Sequence, residues 1–252
     1  MAEATLIVVP GIPDVRPGMS LPDLLVHALN ASGLRPSNGD VLVVAQKVVS
    51  KAEGSLVDLA GVTPGEEALR LAGETGKDPR LIEVILREST RVVRVNAGVL
   101  IAEHRLGFIC ANAGVDHSNV GIGPEVVSLL PRDPDASARE IASAFRRAFE
   151  VDVAVIINDS HGRPHREGAV GVCIGAAGLE PLESLVGRPD RYGYTMRTSV
   201  EAVADEFAAA ATLLQGQCDE GTPVVLIRGI PVREGRGDAR QLLRDPERDL
   251  FR

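Results

Sequence analysis

The chain has 252 residues, 44% of them hydrophobic and 25% charged, with 26 Gly, 16 Pro, no Trp, two Tyr and five Phe. At this length folding buries roughly 70–75% of the unfolded surface, so a sizeable core forms without staples, and the composition excludes disordered, collagenous and coiled-coil classes. A net charge of −8 and a pI near 5.2 argue against a general nucleic-acid binder, and apolar runs as short as 41–45 and 151–157 exclude a bilayer span.

The first ten residues carry no basic leader segment, which predicts a soluble, unexported protein. Cys110, Cys173 and Cys218 are far apart, with no C-x-x-C pair. Neither a disulfide framework nor a zinc site is expected, and a reducing cytoplasm fits. Lys47, Lys51 and Lys77 are the only lysines among 27 basic residues, so a lysine inside a motif stands out.

In chain order, residues 4–10 predict a strand that Gly11-Ile12-Pro13 ends. Ser20 caps a predicted helix in which Leu21, Leu24, Leu25, Ala28 and Leu29 recur at helical spacing, and Gly33 marks its exit. The run 40–51 opens with β-branched residues too continuous for a half-exposed strand, predicting a buried strand with a polar end. Two helices follow at 64–75 and 79–88, then a hairpin of 92–95 and 99–103 across Asn96-Ala97-Gly98, and a strand at 107–111. Residues 113–134 turn to Gly, Asn, Asp and Pro, a connection of the length that often carries function. A helix is expected at 136–149, a buried strand at 151–157 stopping at Asn158, a Gly-rich strand at 168–175, a helix at 200–214 and a last strand at 223–230. No repeat or linker divides the chain, so a single domain spanning 1–252 is expected, with 233–252 a charged arm or surface helix. The fold class is mixed α/β, or α+β.

Polar clusters at the carboxyl ends of buried strands are where open sheets place ligands. The first such cluster runs from Gln46 to Gly54, with Lys47 and Lys51 four apart. A lysine there neutralises phosphate as a point charge, although a solvated strand end would read the same. The second runs from Cys110 to Asn119, where small residues aim Asp116, and turn chemistry alone would choose similar residues. The third, from Ile157 to Arg166, sets Asp159 beside Ser160 with Arg163 and Arg166 behind. Mg²⁺ and Mn²⁺ prefer carboxylate and hydroxyl oxygens, and arginines clamp phosphate or carboxylate through paired N–H groups.

His117, His161 and His165 lack zinc-site spacing, G-x-S-x-G and G-x-G-x-x-G are absent, and the stretch from Gly73 to Lys77 suits a helix C-cap better than a Walker A loop. The residues alone support a metal-assisted phosphate or nucleotide site of no standard motif. They name no substrate.

Gly11-Ile12-Pro13 and the blocks 39–54, 111–120, 155–166, 204–208, 213–217 and 223–229 together resemble the coenzyme F420-0:L-glutamate ligase family, the F420 gamma-glutamyl ligases. The likeness runs in order from about residue 5 to 232. It implies a family-specific mixed α/β fold in an intertwined homodimer. It also implies a GTP-dependent ligase that activates the carboxylate of coenzyme F420-0 as an acyl phosphate and lets the amine of L-glutamate displace phosphate, with further glutamates added to F420-1. Two divalent ions, Mg²⁺ or Mn²⁺, and a K⁺-type ion are implied as cofactors.

Carried over by position, the nucleotide would meet Ile12, Pro13, Asp14 and Val15, then Gln46, Lys47, Lys51 and Asn119, and the loop of Gln215, Gly216, Gln217, Cys218, Asp219, Glu220, Gly221 and Thr222. Asp116 and Asp159 would hold one divalent ion, with Ser160 and Gln217 contributing to a second; Asp116, Asp159 and Lys51 would be the catalytic set. Arg163 and Arg166 are candidates for the acceptor's phosphodiester or the glutamate carboxylates.

Three positions depart from many relatives: Ser160 stands for Thr, Gln217 for a Glu found in some, and His165 for a residue often aromatic. The flavin-reductase-like domain that follows the ligase in some relatives is not expected. The alternatives are a nucleotide-dependent amide ligase with another acceptor, a metal-dependent phosphohydrolase using Asp116 and Asp159, and a non-catalytic nucleotide-binding regulator.

Overall fold

The computed structural model describes residues 3–250. The first half holds β1 (Thr5–Val8), α1 (Leu21–Ser32), β2 (Val41–Ala45), α2 (Gln46–Glu53), β3 (Leu56–Asp58), α3 (Glu66–Thr75), α4 (Pro79–Glu88), β4 (Ser89–Asn96), β5 (Val99–His104) and β6 (Ile109–Ala111). The second holds β7 (Val126–Ser128), α5 (Pro134–Phe149), β8 (Ala154–Arg163), β9 (Arg166–Ala177), β10 (Glu183–Ser184), β11 (Val200–Glu201), α6 (Val203–Gln215) and β12 (Val224–Arg228). The expected mixed α/β class is what forms.

The main sheet has the order β1-β12-β2-β8-β9, with β2 and β8 parallel and every other pair antiparallel. Val41, Leu42, Val43 and Val44 are all fully buried, as a continuous apolar strand requires when both sheet faces are covered. A register irregularity explains how β9 serves two helices. Ile157 pairs with Gly175 but Asn158 pairs with Cys173, so neighbouring residues on β8 turn opposite faces to opposite helices. On Asn158's face lies α6: a Cβ at Gly171 would come 2.4 Å from Ala208 O. On the other lies α5: a Cβ at Gly175 would come 2.5 Å from the Pro134 carbonyl carbon.

A second, smaller core gathers Leu71 of α3, Ile82 and Ile85 of α4, Leu100 of β5 and Val127 of β7. Its helices begin and end as their caps dictate. Asp78 accepts the Arg80 N–H with Pro79 at the first turn of α4, and Gly76 closes α3 at φ 73°, which makes the Gly73-to-Lys77 stretch the expected C-cap.

Four elements differ from expectation. The predicted strand 40–51 breaks at Ala45, and Gln46 begins α2, which Gly54 closes at φ 69°. Val48 and Val49 suit a strand locally, but the helix buries Gln46, Val49, Ser50 and Lys51. The strand expected to stop at Asn158 continues to Arg163, because β9 returns beside it across a Pro164-His165 turn with His165 at φ 61°. The connection 113–134 is not featureless: β7 pairs with β3 inside it. The helix expected at 200–214 begins at Val203, since Val200 and Glu201 pair with β10.

In 233–250 the elements are two 3-10 turns, Ala239–Leu242 and Pro246–Arg248. Ala239 is buried, and its N–H donates to Asp135 at 3.0 Å. No helix among the described residues is long and apolar enough to cross a membrane.

Candidate active site

The sheet topology assembles one edge from four distant segments. Val8 pairs with Val225, Val44 with Val224 and Ala45 with Asn158, so β1 and β2 end, β12 begins and β8 turns polar along the same line. The segments beyond it are 9–15, α2, 158–160 and 215–223, and the loop around Asp116 comes over from the smaller core, tied by a bridge between Asp116 and Ser128. Between them lies a cavity of about 450 Å³.

Residues 12–15, Gln46, Lys47, Lys51, Asn119 and 215–222 all line this cavity, and so do Asp116, Asp159 and Ser160. Arg163 and Arg166 do not. They stand at the far end of the β8–β9 hairpin, where Arg163 Nη2 donates to Glu167 O at 3.2 Å and its Nε is buried without a partner.

The helical form of 46–53 brings both lysines to the cavity, since residues four apart share a helix face. Each meets a carboxylate. Lys47 Nζ lies 2.8 Å from Asp116 Oδ2 and 2.8 Å from Ser128 Oγ, and Lys51 Nζ lies 2.7 Å from Asp14 Oδ1. Burial pushes the Asp116 carboxyl up, but the Lys47 charge and hydrogen bond, with the Ser118 donors, outweigh it and hold the group below the ordinary carboxylate value. The Lys51 hydrogen bond and charge hold Asp14 below that value too.

On β8, Asp159 and His161 share a strand face, with His161 Nε2 3.1 Å from Asp159 Oδ2. Burial lowers the His161 pKa, but the Asp159 hydrogen bond, followed by Cys110, outweighs it and pushes the value up to about 10. Ser160 faces the other way and donates to Gln217 Oε1 at 2.8 Å. Asp116, Asp159, Ser160 and Gln217 thus bring carboxylate, hydroxyl and amide oxygens to the cavity, all hard donors of the kind that suit Mg²⁺ or Mn²⁺ and not Zn²⁺.

Gln46 and Gln215, both in the expected nucleotide set, have their side-chain amides engaged by protein. Gln46 Nε2 donates to Ser50 Oγ at 2.8 Å and to Leu129 O at 3.0 Å. Gln215 accepts from Asn158 Nδ2 at 2.7 Å and donates to Asn158 Oδ1 and Pro223 O, both at 3.2 Å. This clasp fastens the start of the 215–222 loop to β8.

Ser118, Ser128, Asn158 and Thr212 also shape the site, and sequence reasoning assigned them no role. Ser118 had a signal: an Asp two residues before a Ser forms an Asx-type turn, and here Ser118 N donates to Asp116 Oδ1 at 3.0 Å. Ser128 had none, lying in a three-residue strand inside an apparent loop.

Proteins of known sequence place this architecture. The F420-0:Gamma-glutamyl ligase family matches residues 11–229. Coenzyme F420:L-glutamate ligase of Methanothermobacter thermautotrophicus is 48% identical over 250 residues, covering 98% of this chain and 98% of its own. The proteins of that name from Methanopyrus kandleri and Methanocaldococcus jannaschii are 48% and 43% identical, over 94% and 85% of this chain and 93% and 85% of theirs. The chain belongs to the F420-0:gamma-glutamyl ligase family.

Proposed function

We propose that this chain joins L-glutamate to coenzyme F420-0, and further glutamate to F420-1, in a GTP-driven amide ligation that releases GDP and phosphate. The observation that carries this is the convergence of Lys47, Lys51, Asp116 and Asp159 on one cavity in a chain of this family. In the proposed reaction a carboxylate oxygen of the acceptor attacks the γ-phosphorus of GTP and GDP leaves. The glutamate amine then attacks the acyl carbon, loses a proton, and phosphate departs.

The chain's own part is positioning and charge. Lys51, on a side chain only 7% exposed, is held by α2 as a fixed cation for phosphate oxygens. Asp116 and Asp159 would hold one Mg²⁺ or Mn²⁺ ion, and Ser160 with Gln217 a second. Bound there, such ions supply charge neutralisation to the phosphate oxygens. Asp116 released from Lys47 leaves that ammonium free for phosphate, and the clasp between Asn158 and Gln215 keeps the 215–222 loop in place. Activity with a K⁺-type monovalent ion, an intertwined homodimer and a cytoplasmic location complete the proposal.

The test is an incubation of the purified protein with GTP, Mn²⁺ or Mg²⁺, L-glutamate and coenzyme F420-0, read by product mass and phosphate release, beside Asp159→Ala. Glutamylated coenzyme that needs every component and vanishes in the variant supports the proposal. GTP cleavage indifferent to acceptor and amine makes the chain a phosphohydrolase, and product formed only with another carboxylic acid moves the acceptor.

A further inference from the structure

We infer that His161 is a positioning residue that fixes the Asp159 carboxylate for metal binding. Successive strand residues alternate between faces, so Asp159 and His161 lie side by side on β8, and the imidazole Nε2 meets Asp159 Oδ2 at 3.1 Å. The ring has little freedom to leave. Its side chain is 11% exposed, and Phe108 packs edge-on against it with ring centroids 6.4 Å apart. Asp159 itself is 21% exposed and lines the cavity, while Ser160 turns to the opposite face to meet Gln217.

A carboxylate on a strand rotates about its side-chain bonds, and each rotation moves the oxygen offered to a cation. One oxygen tied to a packed imidazole removes that freedom, so the other is presented in a single direction. Loss of a partner that orients a ligand in this way typically costs about 10–100-fold in metal affinity. His161 touches no substrate in this role and acts through Asp159.

The role presupposes the metal-holding site proposed above, and the experiment separates the two. Mn²⁺ alone is titrated into the full chain and the free ion followed by electron paramagnetic resonance, for the wild type, Asp159→Asn, His161→Leu and His161→Gln, with melting temperatures measured alongside. Leu fills the volume without a donor, whereas Gln keeps an N–H at comparable reach, so a packing role treats the two alike. His161→Leu is expected to weaken Mn²⁺ binding roughly 10–100-fold, with His161→Gln within about threefold of wild type. Binding lost in Asp159→Asn but unchanged in His161→Leu overturns the positioning role alone. Absence of Mn²⁺ binding by the wild type overturns the metal site and the role together. Should His161→Leu fail to fold, His161→Phe, a ring without a donor, takes its place: Mn²⁺ binding weakened about tenfold or more relative to His161→Gln supports the role, and equal binding in the two overturns it.

Discussion

Lys51 Nζ and Asp14 Oδ1 meet at 2.7 Å across the cavity, joining a side chain that is 7% exposed to one that is 57% exposed. The cation is the buried partner and the carboxylate the exposed one, so in the proposed reaction Asp14 would have to give way to a phosphate oxygen at Lys51. Asp14→Asn removes the competing charge but keeps an oxygen for Lys51. The exposed side of the pair is screened, so a gain of about 1 kcal/mol, roughly fivefold in affinity for GDP, is expected by calorimetry. Unchanged or weaker binding would show that Asp14 serves the nucleotide directly instead.

Asn158 and Gln215 exchange amide hydrogen bonds within a buried corner. Asn158→Leu leaves the Gln215 carbonyl oxygen without its donor, at a cost of about 1–3 kcal/mol. The melting temperature should drop several degrees, and the KM for nucleotide should rise more than kcat falls, because the 215–222 loop loses its anchor. A double-mutant cycle with Gln215→Leu should give a coupling of about 1 kcal/mol or more, and strict additivity would refute the clasp.

Gly171 is where α6 touches the sheet: a Cβ there would sit 2.1 Å from Thr212 Oγ1 and 2.4 Å from Ala208 O. The second obstacle is backbone and cannot rotate away. Gly171→Ala should therefore cost about 1–3 kcal/mol or more through displacement of the helix. A thermal melt equal to wild type would contradict the close approach.

Glu88 lies against buried His104, with Nε2 3.3 Å from Oε2, and that hydrogen bond holds its carboxyl below the ordinary value against the opposing effect of burial. A carboxyl depressed on folding contributes stability that is complete above its unfolded value, about 4.3, and is lost as pH falls through the lower folded value. Glu88→Gln should destabilise by about 1–2 kcal/mol at pH 7, and the gap from wild type should close as the pH is taken below that window. Denaturant midpoints followed from pH 7 down through about pH 4.3 to the acid limit of the folded state check this, the gap narrowing progressively below about 4.3, and a gap independent of pH would mean that the charge is irrelevant.

Much of both cores was legible in the sequence because the signals are local. The Val41-to-Val44 run and the caps at Ser20, Asp78 and Gly76 each name an element without help from distant residues. Lys47 and Lys51 were readable as a pair, yet their delivery by a helix was hidden, because Val48 and Val49 favour a strand until tertiary burial decides. The strand course of 158–163 was hidden for a related reason: only the pairing with β9 keeps so polar a segment extended. What binds Lys47 at Ser128, 81 positions away, has no local signature at all.

Asp116 is carried by the smaller core and Asp159 by the larger, so the distance between these two carboxylates is a property of how the cores meet, not of either one. A small rotation of one unit against the other would change that distance while both interiors stayed intact. Heat or mild denaturant should therefore silence the protein before any interior melts, and mutations that stiffen a single core should leave that early inactivation where it was.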